Sequence, residues 1–201
     1  MRTLPLLALS LLLLLLSLGC GEGFHNAPLQ LGEVRGRVVG ADPAQTTISV
    51  LPGDATSAEG AVPLLTGGVD AEGRFVLQGV PATRVTLYIV GSPTQAIFLP
   101  LDVLPAQVTN VNDVVLESAA SLTVLVRDNT GSPLPGAEVD VDVSPFGRQT
   151  TDSQGKALFS PLAPACYRIR VRADGFADAE LERCVSTGEA AQVDLTLPTG
   201  N

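Results

Sequence analysis

The chain has 201 residues, long for one small domain and of a size for two, since domains typically run to ~100–150 residues. Twelve Lys and Arg stand against 21 Asp and Glu, a net charge of −9, so the surface repels phosphate backbones and anionic headgroups, which argues against nucleic-acid binding. With no Trp, one His and three Cys, most nucleophile–base and metal-ligand constellations cannot be assembled, and no cofactor is expected.

The N-terminus carries an address. Leu4 to Leu16 is Leu throughout except for Pro5, Ala8 and Ser10, with Arg2 the positive charge ahead of it. Thirteen residues are too few to cross ~30 Å of hydrocarbon, which takes roughly 20 in a helix, so the run reads as a signal peptide rather than a membrane span. Ser17-Leu18-Gly19-Cys20 follows and resembles the bacterial lipobox, with Leu18 one place later than the usual Leu. That resemblance implies removal of residues 1–19 and acylation of Cys20, and Gly21 after the Cys resembles an outer-membrane rather than an inner-membrane sorting signal. The alternative is an ordinary secretory signal that leaves Cys20 as a free thiol. Residues 20–30 read as a tether, and His25 lies in it.

Beyond the tether the chain alternates apolar and polar residues in short runs divided by Gly, Pro, Asp and Ser, with no 3.6-residue stripe, which predicts an all-β protein. Expected strands include Val34–Val38, Ile48–Val50, Arg74–Leu77 and Val85–Val90, then Leu122–Val126, Glu138–Val141, Lys156–Phe159 and Tyr167–Val171. The later parts of the two halves superpose at an offset of 82: Asp70 falls on Asp152, Gly73 on Gly155, Val85 on Tyr167, Ile89 on Val171 and Val111 on Val193. A repeat of this length predicts two tandem antiparallel β-sandwiches, of the Ig-like or transthyretin-like kind, over 31–117 and 118–201. Asp70-Ala71-Glu72-Gly73 and Asp152-Ser153-Gln154-Gly155 have the chemistry of tight turns and are expected to close hairpins; one or two carboxylates each are too few for calcium.

Cys166 and Cys184 lie nine residues on either side of Gly175, which predicts one hairpin turning at Asp174-Gly175-Phe176. In that register Arg168 faces Glu182, Arg170 faces Glu180 and Arg172 faces Asp178, with Ile169 and Val171 on the opposite, apolar face. A slip of one residue would drive the charges into the core, so the alternation fixes the pairing. The two cysteines become cross-strand neighbours, and a Cys166–Cys184 disulfide is expected. A redox-active pair is the alternative, without the Cys-x-x-Cys spacing that lowers a thiol pKa.

Val126-Arg127-Asp128-Asn129-Thr130-Gly131-Ser132-Pro133-Leu134-Pro135-Gly136-Ala137-Glu138-Val139, followed by Thr151–Gly155, Leu162, Tyr167 and Asp174-Gly175-Phe176, resembles the carboxypeptidase regulatory-like domain. The first half is similar more loosely, an insertion from Leu51 to Gly68 replacing the Gly-x-Pro-Leu-x-Gly-Ala segment. The resemblance implies a seven-stranded transthyretin-like sandwich with a binding or spacing role and no activity of its own.

The expected function is therefore a non-catalytic lipoprotein of the bacterial envelope. It would be held on the outer membrane by its acyl chains, its sandwiches binding another envelope protein. Polysaccharide binding is the alternative, but Trp is absent, and Tyr88 and Tyr167 are expected on the apolar sides of their strands. Phe146, between Ser144-Pro145 and Gly147, is the one aromatic residue whose ring could stand exposed on a loop, or could plug the core instead; it and the Leu51–Gly68 insertion are the candidate binding loops.

Overall fold

In a computed structural model the described residues are 30–53 and 62–200, so Cys20 and His25 lie outside them. All elements are strands: β1 (Leu31–Val38), β2 (Thr47–Pro52), β3 (Leu65–Gly67), β4 (Arg74–Pro81), β5 (Arg84–Ser92), β6 (Gln95–Asp102), β7 (Val108–Val114), β8 (Glu117–Ser118), β9 (Ala120–Asp128), β10 (Glu138–Val141), β11 (Gln149–Thr150), β12 (Lys156–Leu162), β13 (Ala165–Arg172), β14 (Ala179–Val185) and β15 (Ala190–Leu197). They form four sheets, β4-β1-β7 with β3-β2-β5-β6-β8, and β12-β9-β15 with β11-β10-β13-β14. Among the described residues no strand pairing joins β1–β8 to β9–β15.

Period-two alternation explains the layers. On β1 and β4 the buried set Val34, Val38, Phe75, Leu77 and Val80 meets Ile48, Val50, Val85, Leu87 and Ile89 of the five-stranded sheet. In the later half Leu122, Val124, Val126 and Phe159 meet Val139, Val141, Tyr167, Ile169 and Val171 in the same way. Strands β4, β5, β6 and β7 recur as β12, β13, β14 and β15 close to the 82-residue offset seen in the sequence.

Three details depart from the expected reading. The pairings β1–β7 and β9–β15 are parallel. Each of these last strands arrives from the opposite sheet, so no hairpin dictates its direction. Second, the Asp70 and Asp152 turns are tight but close no hairpins: β3 and β4 belong to different sheets, as do β11 and β12. They are corners at which the chain changes sheet. Asp70 Oδ1 accepts from Glu72 N and Arg74 N, and Asp152 Oδ1 from Gln154 N and Lys156 N. Gly73 (φ +78°) and Gly155 (φ +73°) then run so close to the neighbouring strand that a Cβ would lie 2.3 Å from Val38 O and 2.4 Å from Val126 O. Third, Tyr88 does not share the apolar side of β5 with Val85, Leu87 and Ile89; it points from the outer face of that sheet and is buried against the later half.

Candidate functional site

Two polar arrangements stand out from the sandwich framework. The first is the outer face of β10-β13-β14, where even-numbered side chains alternate with the buried Ile169 and Val171. The β13–β14 register pairs Cys166 with Cys184, Arg168 with Glu182, Ile169 with Leu181 and Arg170 with Glu180, as the symmetry about Gly175 predicts. Cys166 and Cys184 are joined by a disulfide with a sequence separation of 18. Among the described residues one group brings three metal-type ligands together, Cys166, Glu182 and Cys184, and the disulfide occupies both sulfurs.

Arg172 pairs with Asp178 straight across the hairpin as the register predicts, whereas Arg168 reaches diagonally to Glu180 in place of Glu182 and Arg170 reaches Asp142, just past β10, in place of Glu180. Arg168 pairs with Glu180 (3.4 Å), Arg172 with Asp178 (3.1 Å) and Arg170 with Asp142, while Arg148 bridges Glu138 (2.8 Å) and Asp140 (3.1 Å). Asp140 and Asp142 are buried, with 2% and 5% of their surface exposed. Burial pushes the Asp142 carboxyl above its ordinary range, against the pull of Arg170. Sequence reasoning missed both aspartates, because Glu138-Val139-Asp140-Val141 reads as a strand with a solvated polar face and the arginines of the neighbouring strand already had partners across the hairpin. Nearby, Leu134, Pro135, Gly136, Glu138, Arg172 and Phe176 line an open cleft of about 460 Å³.

The second arrangement joins the halves. Tyr88 OH donates to Pro161 O (3.2 Å) and accepts from Ala163 N (2.7 Å), while Tyr167 OH donates to Ala163 O (2.7 Å). A Tyr at the start of a strand bonded to backbone four residues upstream is the tyrosine corner of Greek-key sandwiches, here capped by a second Tyr from the other half. Both rings are buried. Burial pushes the Tyr88 hydroxyl up to about 12 and raises that of Tyr167 further. Phe146 stands edge-on to Tyr88 (6.3 Å between centroids) and to Phe159 (6.4 Å), and Phe98 of β6 stands edge-on to Tyr167 (6.5 Å).

Phe146 is therefore a plug and not a ring exposed on a loop: it is half-buried where the two halves meet. No aromatic ring among the described residues is exposed. Of the Leu51–Gly68 insertion, residues 54–61 fall outside the description; Leu51 is buried at the junction and Leu65–Gly67 pairs with β2 as an edge strand. The carboxylates of Asp70 and Asp152 are taken up by backbone N–H groups, an arrangement suited to holding a corner.

Residues 121–198, spanning β9 to β15, match the carboxypeptidase regulatory-like domain. No curated protein matches the chain. Solved structures similar to it include the TIE protein of Bacillus anthracis (15% identity over 84% of this chain, TM-score 0.37), of which this chain spans only 34%. The minor pilin GBS52 of Streptococcus agalactiae is 13% identical over 85% of this chain and 97% of its own length, TM-score 0.43. The shaft pilin SpaA of Lactobacillus rhamnosus GG is 13% identical over 86% and 98%, TM-score 0.36.

Proposed function

We propose that the protein is a non-catalytic lipoprotein of the bacterial cell envelope, anchored in the outer membrane by acyl chains on Cys20, whose β-sandwich domains at 31–117 and 118–201 form one stiff structural and protein-interaction module. The observation that carries the reading is the junction: Tyr88 from one half completes the hydrogen bonding of Pro161 and Ala163 in the other, inside a shared apolar cluster that also takes in Leu51 and Ala96. A module that only needed to tether two independent sandwiches would have no use for a buried, hydrogen-bonded joint. Rigid spacing of a binding surface from a membrane does use one.

The chemistry of the exposed faces supports binding over catalysis. Five of the six arginines of the later half are engaged with carboxylates and Arg127 donates to Gly131 O, while the one His of the chain stands in the tether segment. Another envelope protein is the partner that fits an acidic, ion-paired surface. A polysaccharide would ask for exposed rings, which the described residues do not supply. Detergent phase partition tests the anchor: the wild type is expected in the detergent phase, and a variant whose residues 1–20 are replaced by a cleavable secretory signal in the aqueous phase. Both proteins in the aqueous phase would overturn the reading.

A further inference from the structure

At the end of the first sheet pair where the described chain begins, apolar side chains stand exposed beyond the Arg84–Asp102 rung of β5 and β6. Leu31, Leu104 and Val108 are 44%, 52% and 53% exposed, and the run from Val103 to Val108 holds no charge. This tip is held in place by backbone bonds: Ala106 N donates to Leu31 O, Glu33 N to Gln107 O, Val103 N to Thr83 O and Ala82 N to Gln30 O, all within 3.0 Å. Gly32 permits the approach, since a Cβ there would lie 2.6 Å from Leu104 O. Leu31, Leu104 and Val108 are brought together on this fixed tip, which makes it a candidate contact surface.

What covers it is indicated by the course of the chain. Cys20 stands ten residues before Gln30, so an anchor there lies within about 35 Å of the tip even with the tether fully extended. Strands β5 and β6 run from this end to the β5–β6 turn, some 26–30 Å away, where Thr94 O accepts from Ala119 N and the later half begins. The tether thus joins the described chain at this end, and the later half begins at the opposite one. The remaining surface, in a chain of net charge −9, is repelled by anionic headgroups.

We propose that this tip, formed by Leu31, Leu104, Pro105, Ala106 and Val108, seats on the bilayer that holds the acyl chains and sets the module upright on the membrane. The inference rests on the lipid-anchor reading. A few side chains bind a membrane weakly alone, but a short tether keeps them at a millimolar effective concentration, where a weak contact is occupied.

The chain contains no Trp, so Leu104→Trp creates a single emitter, and Leu158→Trp, exposed on β12 of the later half, provides the comparison. Each full-length acylated variant is reconstituted into phosphatidylcholine vesicles with ordinary or brominated acyl chains, and flotation is scored beside fluorescence. The expected result is co-flotation of both, with bromolipid quenching the Leu104→Trp emission about twofold or more and leaving Leu158→Trp unchanged. Flotation with equal, weak quenching at both positions would overturn the seating while leaving the anchor intact. A blue-shifted but unquenched Leu104→Trp emission would overturn it too, since protein rather than lipid would then cover the tip. Failure of both variants to float would remove the anchor, and the seating with it.

Discussion

Tyr88 shows how much can rest on one hydroxyl. It donates to one backbone group and accepts from another across the junction, so Tyr88→Phe leaves Ala163 N–H buried without its partner. We expect a loss of about 1–3 kcal/mol in unfolding free energy, read from denaturant midpoints, with the fold retained. The chain's two tyrosines are both buried and no Trp obscures them, so tyrosinate absorbance reports on this site alone. Folded, both hydroxyls titrate above the ordinary value near 10. The stability they confer is full below about pH 10 and is lost as the pH rises through about 12. The native protein should therefore stay free of tyrosinate at a pH where the urea-unfolded chain has ionised; coincident titrations would contradict the buried placement. Gly155 carries a second residue-scale expectation: Gly155→Ala combines a positive φ with a Cβ 2.4 Å from Val126 O, and should cost about 1–3 kcal/mol by the same measurement.

At the scale of elements, the register of the β13–β14 hairpin was legible, though not the partners of Arg168 and Arg170. Its register follows from an alternation in which every slip exposes Ile169 and Val171 and buries arginines. The disulfide follows from the register. Removing it by Cys166→Ser with Cys184→Ser should lower unfolding free energy by roughly 3 kcal/mol, and reductant should do the same to the wild type alone. Equal midpoints for the two proteins would show that the ladder holds the hairpin without the bond. Other elements were hidden for physical reasons. Strand β6 contains Pro100, which reads as a break, yet the free edge of β6 beyond its short contact with β8 leaves no partner waiting for a proline N–H. The sheet-changing corners looked like hairpins because Asp-x-x-Gly specifies a tight turn and says nothing about which sheet the next strand will join. Tyr88 was misplaced because a strand with two buried faces has no solvent side from which its pattern can be read.

At the scale of the molecule, β1–β8 and β9–β15 share no sheet and meet through side chains in one apolar cluster, and residues 121–198 match a regulatory-like domain. The junction was not legible, because both partners carry ordinary core residues and only their three-dimensional meeting distinguishes them. The expectation of an anchor rests on Ser17-Leu18-Gly19-Cys20, which lie outside the described residues. The proposed role joins the two: acyl chains hold one end, and a stiff pair of sandwiches carries a binding surface away from it. Intact mass of the protein extracted from membranes tests this most directly. The account predicts a chain that begins at Cys20, lacks residues 1–19 and carries the added mass of two or three acyl chains, lost in Cys20→Ser. An unmodified mass from a soluble protein would contradict it.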